Sequence, residues 1–445
     1  MSGPGRNALI VAYAFPPHSV VGSMRPLRMA KYLRKVSGWN PTVLTVDRVF
    51  SRRDPALLEE IPSGTGIHRT WTIEPAEMFQ RLHREMLRSV GTGTPGPSGI
   101  RDLLDRARRK AYSWLMEIFS IPDEQVFWNL SVIWHGLKII RRESIRAVLV
   151  TSPPWSLQIS GYALKKITGV RWIADFRDPW TDIRRKNRPA AIDAMERWLE
   201  KKLLSYADLV LSTSDTYTED LRRKYPEMKG EKFQTLHNGY DEDKFRCLAQ
   251  VGSSTFTIAH LGSLYSQFNP DALFEALAEW LSNRDEALGN IELLFIGEIT
   301  EDTRESLEKR GLLGITRITG YIPHEEAIQR CHQADVLLLA LGTNPAMPKG
   351  WLPSKLFEYL AVNRPILAYV AEGEAASMVR RINKGFVVTR EDKAAVGKIL
   401  SDLYESKQKH PDHAIPWAND EEALEKLQQH FLMGRLGALL DSLDT

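Results

Sequence analysis

Short apolar runs alternate with helical spacing along most of the chain. In the first half, Leu9–Ala14, Pro41–Val46, Ala147–Thr151, Arg171–Asp175 and Leu209–Thr213 predict buried strands. Between them, Met24–Lys35, Leu157–Thr168, Ala190–Tyr206 and Thr216–Lys224 repeat apolar residues at helical intervals. The second half predicts strands at Thr257–Leu261, Glu292–Ile296, Thr316–Thr319, Val336–Leu341, Pro365–Val370 and Phe386–Val388. Helices fit between these strands at Pro270–Leu281, Thr303–Lys309, Glu325–Cys331, Ser354–Leu360, Ala375–Ile382 and Lys393–Tyr404. Alternating strands and helices imply parallel sheets covered on both faces. The economical prediction is an α/β protein with two doubly wound domains in tandem, residues 1–245 and 255–410. Arg246–Ser254 reads as their linker, and a last helix, Glu421–Leu443 within 417–445, follows the Pro/His-rich segment His410–Pro416.

Residues 74–130 break this rhythm and carry no convincing strand. Gly91–Gly99 predicts a flexible loop between two basic helical stretches, Met78–Val90 and Ile100–Phe119. The second stretch sets Arg106, Arg108, Arg109 and Lys110 beside Tyr112, Trp114, Leu115 and Phe119. That composition suits a lipid headgroup region, and equally a surface helix with a solvated charged face. With 445 residues, two or three domains are expected. A net charge of +3 is too small to argue for nucleic acid as a partner, and none is expected. Cys247 and Cys331 are too few for a disulfide framework, and neither has metal-ligand spacing, so a reducing cytoplasm fits best. No signal peptide and no membrane-spanning run is expected. The alternative to a free cytoplasmic protein is one attached to the inner face of the membrane.

Candidate chemistry sits after the strands. Pro353–Tyr369 reads as a loop, a helix starting near Ser354, a turn and a strand. A helix start offers free N–H groups and a positive dipole end to phosphate, and Glu358 one turn in could accept from a ribose diol. An ordinary capped αβ unit is the alternative. Phe15-Pro16-Pro17-His18, with Gly22, Ser23 and Arg25, opens the first helix where a phosphate or substrate could lie; a plain structural turn fits as well. Asp175-Phe176-Arg177-Asp178-Pro179-Trp180-Thr181-Asp182 is the densest polar cluster. Asp175 or Asp178 could orient a hydroxyl or act as a base, and Arg177 could bind an anion. An ion-pair cluster that stiffens the turn is the other reading. Asp241-Glu242-Asp243 reads as a solvated acidic turn after Asn238-Gly239.

Six segments in the same order carry a resemblance. They are Phe15-Pro16-Pro17 with Gly22 and Arg25, Thr151-Ser152-Pro153-Pro154, Asp175 to Trp180, Asn238-Gly239-Tyr240-Asp241, Leu261-Gly262-Ser263-Leu264-Tyr265, and Pro353-Ser354-Lys355 with Phe357-Glu358-Tyr359. Over residues 7–245 and 255–443 the chain resembles a GT-B glycosyltransferase close to family 4. The resemblance implies two Rossmann-like domains facing across a cleft, acceptor on the first and nucleotide-sugar on the second, with the last helix crossing back. It implies transfer of a sugar to an acceptor hydroxyl of a polysaccharide, glycolipid or small molecule, with retention. No cofactor and no metal are implied, because basic groups and helix dipoles carry the leaving-group charge. On this resemblance the donor site comprises Gly22, Ser23, Arg25, Gly262, Ser263, Tyr321, Ile322, Lys349, Pro353, Ser354, Lys355 and Glu358. Asp175, Arg177 and Asp178 are the catalytic candidates, and Phe15, His18 and Trp180 the acceptor contacts.

The chain departs from the family pattern in three places. The first Glu of a Glu-x7-Glu pair would fall at Gly350; Gly262–Asn269 holds neither the usual Arg nor the usual Lys; and no histidine matches the usual catalytic one. Lys349, Lys355 and Arg25 could compensate. A non-catalytic GT-B protein that binds a glycan or partner, and a nucleotide-sugar epimerase on the same fold, are the alternative readings. No G-x-G-x-x-G follows either first strand, which disfavours a Rossmann oxidoreductase.

Overall fold

The computed structural model describes residues 5–47, 53–72, 121–182, 189–245, 253–284, 290–344, 347–389, 392–409, 411, 415 and 417–443. The basic stretches Met78–Val90 and Ile100–Phe119, the loop Gly91–Gly99 and most of the linker, with Cys247, lie outside the described residues. Thirteen helices and two parallel sheets are present among those described. The chain divides into two compact units. One comprises residues up to Thr213, Tyr217–Leu236 and Met433 onward; the other comprises Ser214–Thr216 and His237–Leu432.

The first unit is built on seven strands: β1 (Asn7–Val11), β2 (Asn40–Val46), β3 (Gly66–Thr70), β4 (Ala147–Ser152), β5 (Arg171–Phe176), β6 (Leu209–Ser212) and β7 (Phe233–Thr235). Their order is β3-β2-β1-β4-β5-β6-β7, every pair parallel, so the strand order reverses between β1 and β4. The five predicted strands are found in place. β3 and β7 were not predicted: both are edge strands, β3 buries only Thr70, and β7 is three residues long. The helix Trp128–Arg142 was also not predicted; it packs Trp128, Val132 and Ile139 into the core with Trp172 and Phe233.

The second unit has β8 (Phe256–Leu261), β9 (Ile291–Ile296), β10 (Thr316–Ile318), β11 (Val336–Gly342), β12 (Ile366–Val370) and β13 (Gly385–Val388), in the order β10-β9-β8-β11-β12-β13. Strand periodicity divides its core. Ile258, Leu293, Phe295, Leu338 and Leu367 enter one apolar cluster, while Ala259, Leu294, Ile296, Leu339 and Ala368 enter another. Successive residues point to opposite faces, so apolar runs rather than alternation mark a sheet covered on both sides.

The last predicted helix is two, Glu421–Glu425 and Gln429–Ser442. Glu242 explains the second start. Its Oε2 accepts from the Gln429 amide at 2.9 Å and its Oε1 from the His430 amide at 3.1 Å. Asp241 and Glu242 are buried, which corrects the reading of this turn as solvated. Tyr240 exchanges backbone bonds with Leu427 and Gln429 at 3.0 and 3.1 Å, so this stretch belongs with the second unit rather than closing the first at residue 245. The end of the last helix belongs to the first unit, where Asp441 accepts from Trp39 Nε1 at 2.9 Å and pairs with Arg6 at 3.3 Å.

Glu242→Ala removes an acceptor for two helix-start amides. It should lower stability by about 1–2 kcal/mol in a denaturant titration; an unchanged midpoint would refute the capping role.

Candidate functional site

In open parallel sheets, ligands bind beyond the carboxyl ends of strands where the strand order reverses. In the second unit that point lies between β8 and β11. Gly262 (φ 87°) follows β8 and Gly297 (φ 146°) follows β9, conformations that favour glycine. The two backbones touch: a Cβ on Gly297 would stand 2.7 Å from the Gly262 carbonyl carbon. Ser263 follows Gly262 and is half-buried. The result is a shelf of bare backbone at the sheet edge.

The helix Ser354–Ala361 begins beside this shelf. Pro353, not Ser354, is the residue before its first turn, and no side chain caps it. The leading amides of a helix have no intrahelical partners and carry its positive dipole end. The Lys355 ammonium leans over the shelf, 3.7 Å from where a Gly262 Cβ would be. Burial holds this amine down to about 8, with Glu358 pulling the other way.

His260, on β8, positions that lysine. It is fully buried, and burial, with Lys355 second, pushes its imidazolium down to about 3. The ring is therefore neutral near pH 7. Nδ1–H donates to the Leu338 carbonyl at 2.9 Å, which leaves the Nε2 lone pair to accept from Lys355 Nζ at 3.3 Å. Tyr359 ties the same helix down: its hydroxyl accepts from the Leu261 amide at 2.7 Å and donates to Leu338 at 3.2 Å. Glu358, half-buried one turn along, accepts from His324 Nε2 at 2.9 Å. Tyr321 is exposed after Gly320 (φ 64°), and Ile322 packs against the core. Lys349 is exposed and its carbonyl accepts from the Glu374 amide at 2.8 Å; Gly350 is buried. His260, His324 and Gly297 were not singled out from sequence. His260 sits one residue before Leu261-Gly262-Ser263, and strand alternation alone cannot tell a buried ligand-supporting histidine from a core one.

The first unit uses most of its predicted site residues internally. Arg25 and Asp175 are buried and form two bonds, Nε to Oδ2 at 2.9 Å and Nη2 to Oδ1 at 2.7 Å. Arg25 Nη1 also donates to the Leu236 carbonyl at 2.9 Å. The expectation that Arg25 meets donor phosphate and Asp175 a reacting hydroxyl is thereby corrected, because each satisfies the other away from solvent. Arg177 donates to the carbonyls of Gly22 (2.7 Å), Ser152 (3.2 Å) and Pro153. It clasps the start of the first helix and the end of β4 rather than offering a free cation. Gly22 lets this guanidinium approach, since a Cβ would lie 2.7 Å from Arg177 Nη1 and the side chain would have to shift. Ser23 is buried and its hydroxyl donates to Val20 O at 2.7 Å. Phe15, His18 and Trp180 are also buried, so they support this loop cluster rather than forming the acceptor surface expected of them. Asp178 stands apart. It is half-buried, its carboxylate has no hydrogen-bond partner among the described residues, and burial raises its pKa against the pull of Arg177.

A model of glycosyl transferases group 1 matches residues 249–418. A model of Glycosyltransferase Family 4 matches residues 25–244. The chain is a GT-B glycosyltransferase resembling family 4. Among solved structures, a glycosyltransferase from Rickettsia africae ESF-5 shares the fold at TM-score 0.63 and 15% identity, over 99% of this chain and 98% of that one. Anabaena Alr3699/HepE in complex with UDP shares it at TM-score 0.59 and 12% identity, over 98% and 100%. Sucrose-phosphate synthase from Thermosynechococcus elongatus shares it at 0.56 and 14%, over 99% of both chains. No curated protein matches the chain in sequence. The activity of this glycosyltransferase is sugar transfer from a nucleotide sugar.

Two measurements test these arrangements. Arg25→Met strands a buried carboxylate and should cost about 3–5 kcal/mol, whereas Arg25→Met with Asp175→Leu should recover most of it in thermal melting. A double variant as unstable as the single one would refute the buried-pair account. For Lys355, the unfolded value is 10.5 and the folded one about 8, so the free site loses its cation above pH about 8. A bound diphosphate favours the ammonium and pulls a proton back. Affinity for a nucleoside diphosphate should fall as pH rises through about 8, with proton uptake visible as a buffer-dependent enthalpy; flat affinity to pH 10 would exclude Lys355 from the anion site.

Proposed function

We propose that this glycosyltransferase moves a hexosyl group from a nucleoside-diphosphate sugar to an acceptor hydroxyl, with retention and without a metal. The observation that carries the reading is the Lys355 ammonium, propped by neutral His260 over the Gly262 shelf at a helix start. Those groups form a built site for a diphosphate. Lys355, the amides at Ser354 and the backbone at Gly262-Ser263 hold the phosphates, with Pro353 fixing the entry to the helix. Exposed Lys349 adds charge. Glu358 accepts from the ribose hydroxyls, and Tyr321 and Ile322 line the base. In the transfer, the bond from sugar C1 to the diphosphate oxygen breaks, the bond from C1 to the acceptor oxygen forms, and the hydroxyl proton passes to the departing diphosphate. Asp178 orients that hydroxyl. Retention follows the family resemblance. A cation supplied by Lys355 and the helix dipole supports leaving-group departure without a metal.

Asp215, His237 and Glu374, all in the second unit, bring ligand atoms within 4.8 Å of one another. Glu374, however, already accepts from the amides of Asp215 and Thr216 at 2.8 and 2.7 Å, the pattern of a helix cap.

The acceptor belongs to polysaccharide, glycolipid or small-molecule glycosylation in the cytoplasm. We place it at a membrane surface, the role first read for residues 78–119. No helix among the described residues is long and apolar enough to cross a membrane. A buried Gly350 where a carboxylate would face the sugar, and no cation in Gly262–Asn269, favour a second reading: a non-catalytic GT-B protein that binds a glycan or partner.

UDP is the natural probe, because Alr3699/HepE is in complex with it. Glu358→Ala should weaken UDP binding roughly 10–100-fold in calorimetry. Asp178→Asn should lower kcat about a hundredfold with UDP affinity unchanged. Binding of none of UDP, GDP and TDP would defeat the donor site and favour the second reading.

A further inference from the structure

The helices Trp128–Arg142, Leu157–Thr168 and Ala190–Tyr206 lie side by side, the middle one packing against both others. Gly136 permits one close approach, since a Cβ there would already be 3.0 Å from the Leu164 side chain. All three bury their inner faces in one cluster, through residues such as Val132, Leu164 and Leu203. Their outer faces therefore point to the same side of the first unit. That side mixes exposed cations with large apolar side chains. Of twelve exposed large apolar side chains among the described residues, six sit on these three helices: Leu130, Trp134, Ile167, Met195, Trp198 and Tyr206. Trp134 is 61% exposed and Trp198 59%. Leu130, Trp134 and Lys138 follow one helical stripe, and Met195, Trp198, Lys202 and Tyr206 another.

Lysines stand over these rings. Lys138 Nζ lies 4.2 Å from the Trp134 ring centre and Lys202 Nζ 4.8 Å from that of Trp198. Lys166 and Lys202 both reach the Tyr162 ring, each at 5.7 Å. None of these three lysines pairs with a carboxylate among the described residues. Exposed indoles and phenols with long amines that reach past them is the pattern of side chains at a lipid–water boundary, where rings enter the headgroup layer and ammoniums meet phosphates. A protein partner fits less well, because protein interfaces are depleted of lysine. A second copy across a two-fold axis would oppose lysine to lysine.

We infer that this three-helix face of the first unit docks on an anionic phospholipid surface. The inference deepens the reading of a membrane-located acceptor and moves the contact onto described helices. The face shares no residue with the donor site, so lipid binding and UDP binding fail separately.

The full chain is sedimented with vesicles of phosphatidylcholine, with and without phosphatidylglycerol. It should bind only the anionic vesicles, less tightly as salt rises. Lys138→Glu/Lys166→Glu/Lys202→Glu should weaken binding about a hundredfold. Trp134→Ser/Trp198→Ser should weaken it about tenfold or more while keeping the charge. Both variants should keep the parent melting temperature and the UDP-induced shift, which excludes misfolding as the cause. The inference is overturned if the parent ignores anionic vesicles, if it binds neutral ones equally, or if either variant binds like the parent. Concentration-dependent dimers of the parent, abolished by the tryptophan variant, would reassign the face to a second copy.

Discussion

A single imidazole in a central strand of the second sheet governs the proposed donor site. His260 has no water to stabilise its charge, so it stays neutral and gives its one N–H to the Leu338 carbonyl. That choice of tautomer leaves Nε2 as an acceptor, and the acceptor decides where the Lys355 ammonium rests. The lysine then projects over a glycine shelf that no other residue type would leave open. Tyr359 bridges Leu261 and Leu338 and fixes the same helix against the same two strands. A cation, a dipole and a bare backbone thus converge without any of them depending on a flexible surface side chain.

The first unit applies buried charge differently. Arg25 and Asp175 neutralise each other across the β1–β5 region of the sheet, and Arg177 satisfies three carbonyls, those of Gly22, Ser152 and Pro153. These contacts hold the loops at the strand ends in one arrangement. They leave Asp178 as the carboxylate of that cluster with a burial-raised pKa and no hydrogen-bond partner for its carboxylate among the described residues. One run of six residues therefore contains a structural acid, a structural base and a reactive candidate.

The outer helical layer of the first unit shows how far local amphipathicity carries. Its inner residues follow the ordinary rule and fill the core. Its outer residues violate the rule in a coherent way, with tryptophans and lysines on the same stripes. Scattered exposed apolar residues are normal in any protein; a concentration on three adjacent helices is not.

The sequence by itself determined the fold class, because buried parallel strands need continuous apolar runs and their crossovers need helices, and both are local patterns. It also singled out Glu358, Lys355 and Gly262, which lie on loops and helix starts that strand ends must place at the sheet edge. The tertiary structure decided what each charged residue is for. Arg25 and Asp175 are 150 positions apart and share one buried contact; His260 becomes a support for Lys355, 95 positions away, only once β8 lies beside its helix. Glu242 becomes a cap only when the chain returns 187 residues later. Charge pairing and desolvation depend on distance in space, and spacing along the chain carries no record of it.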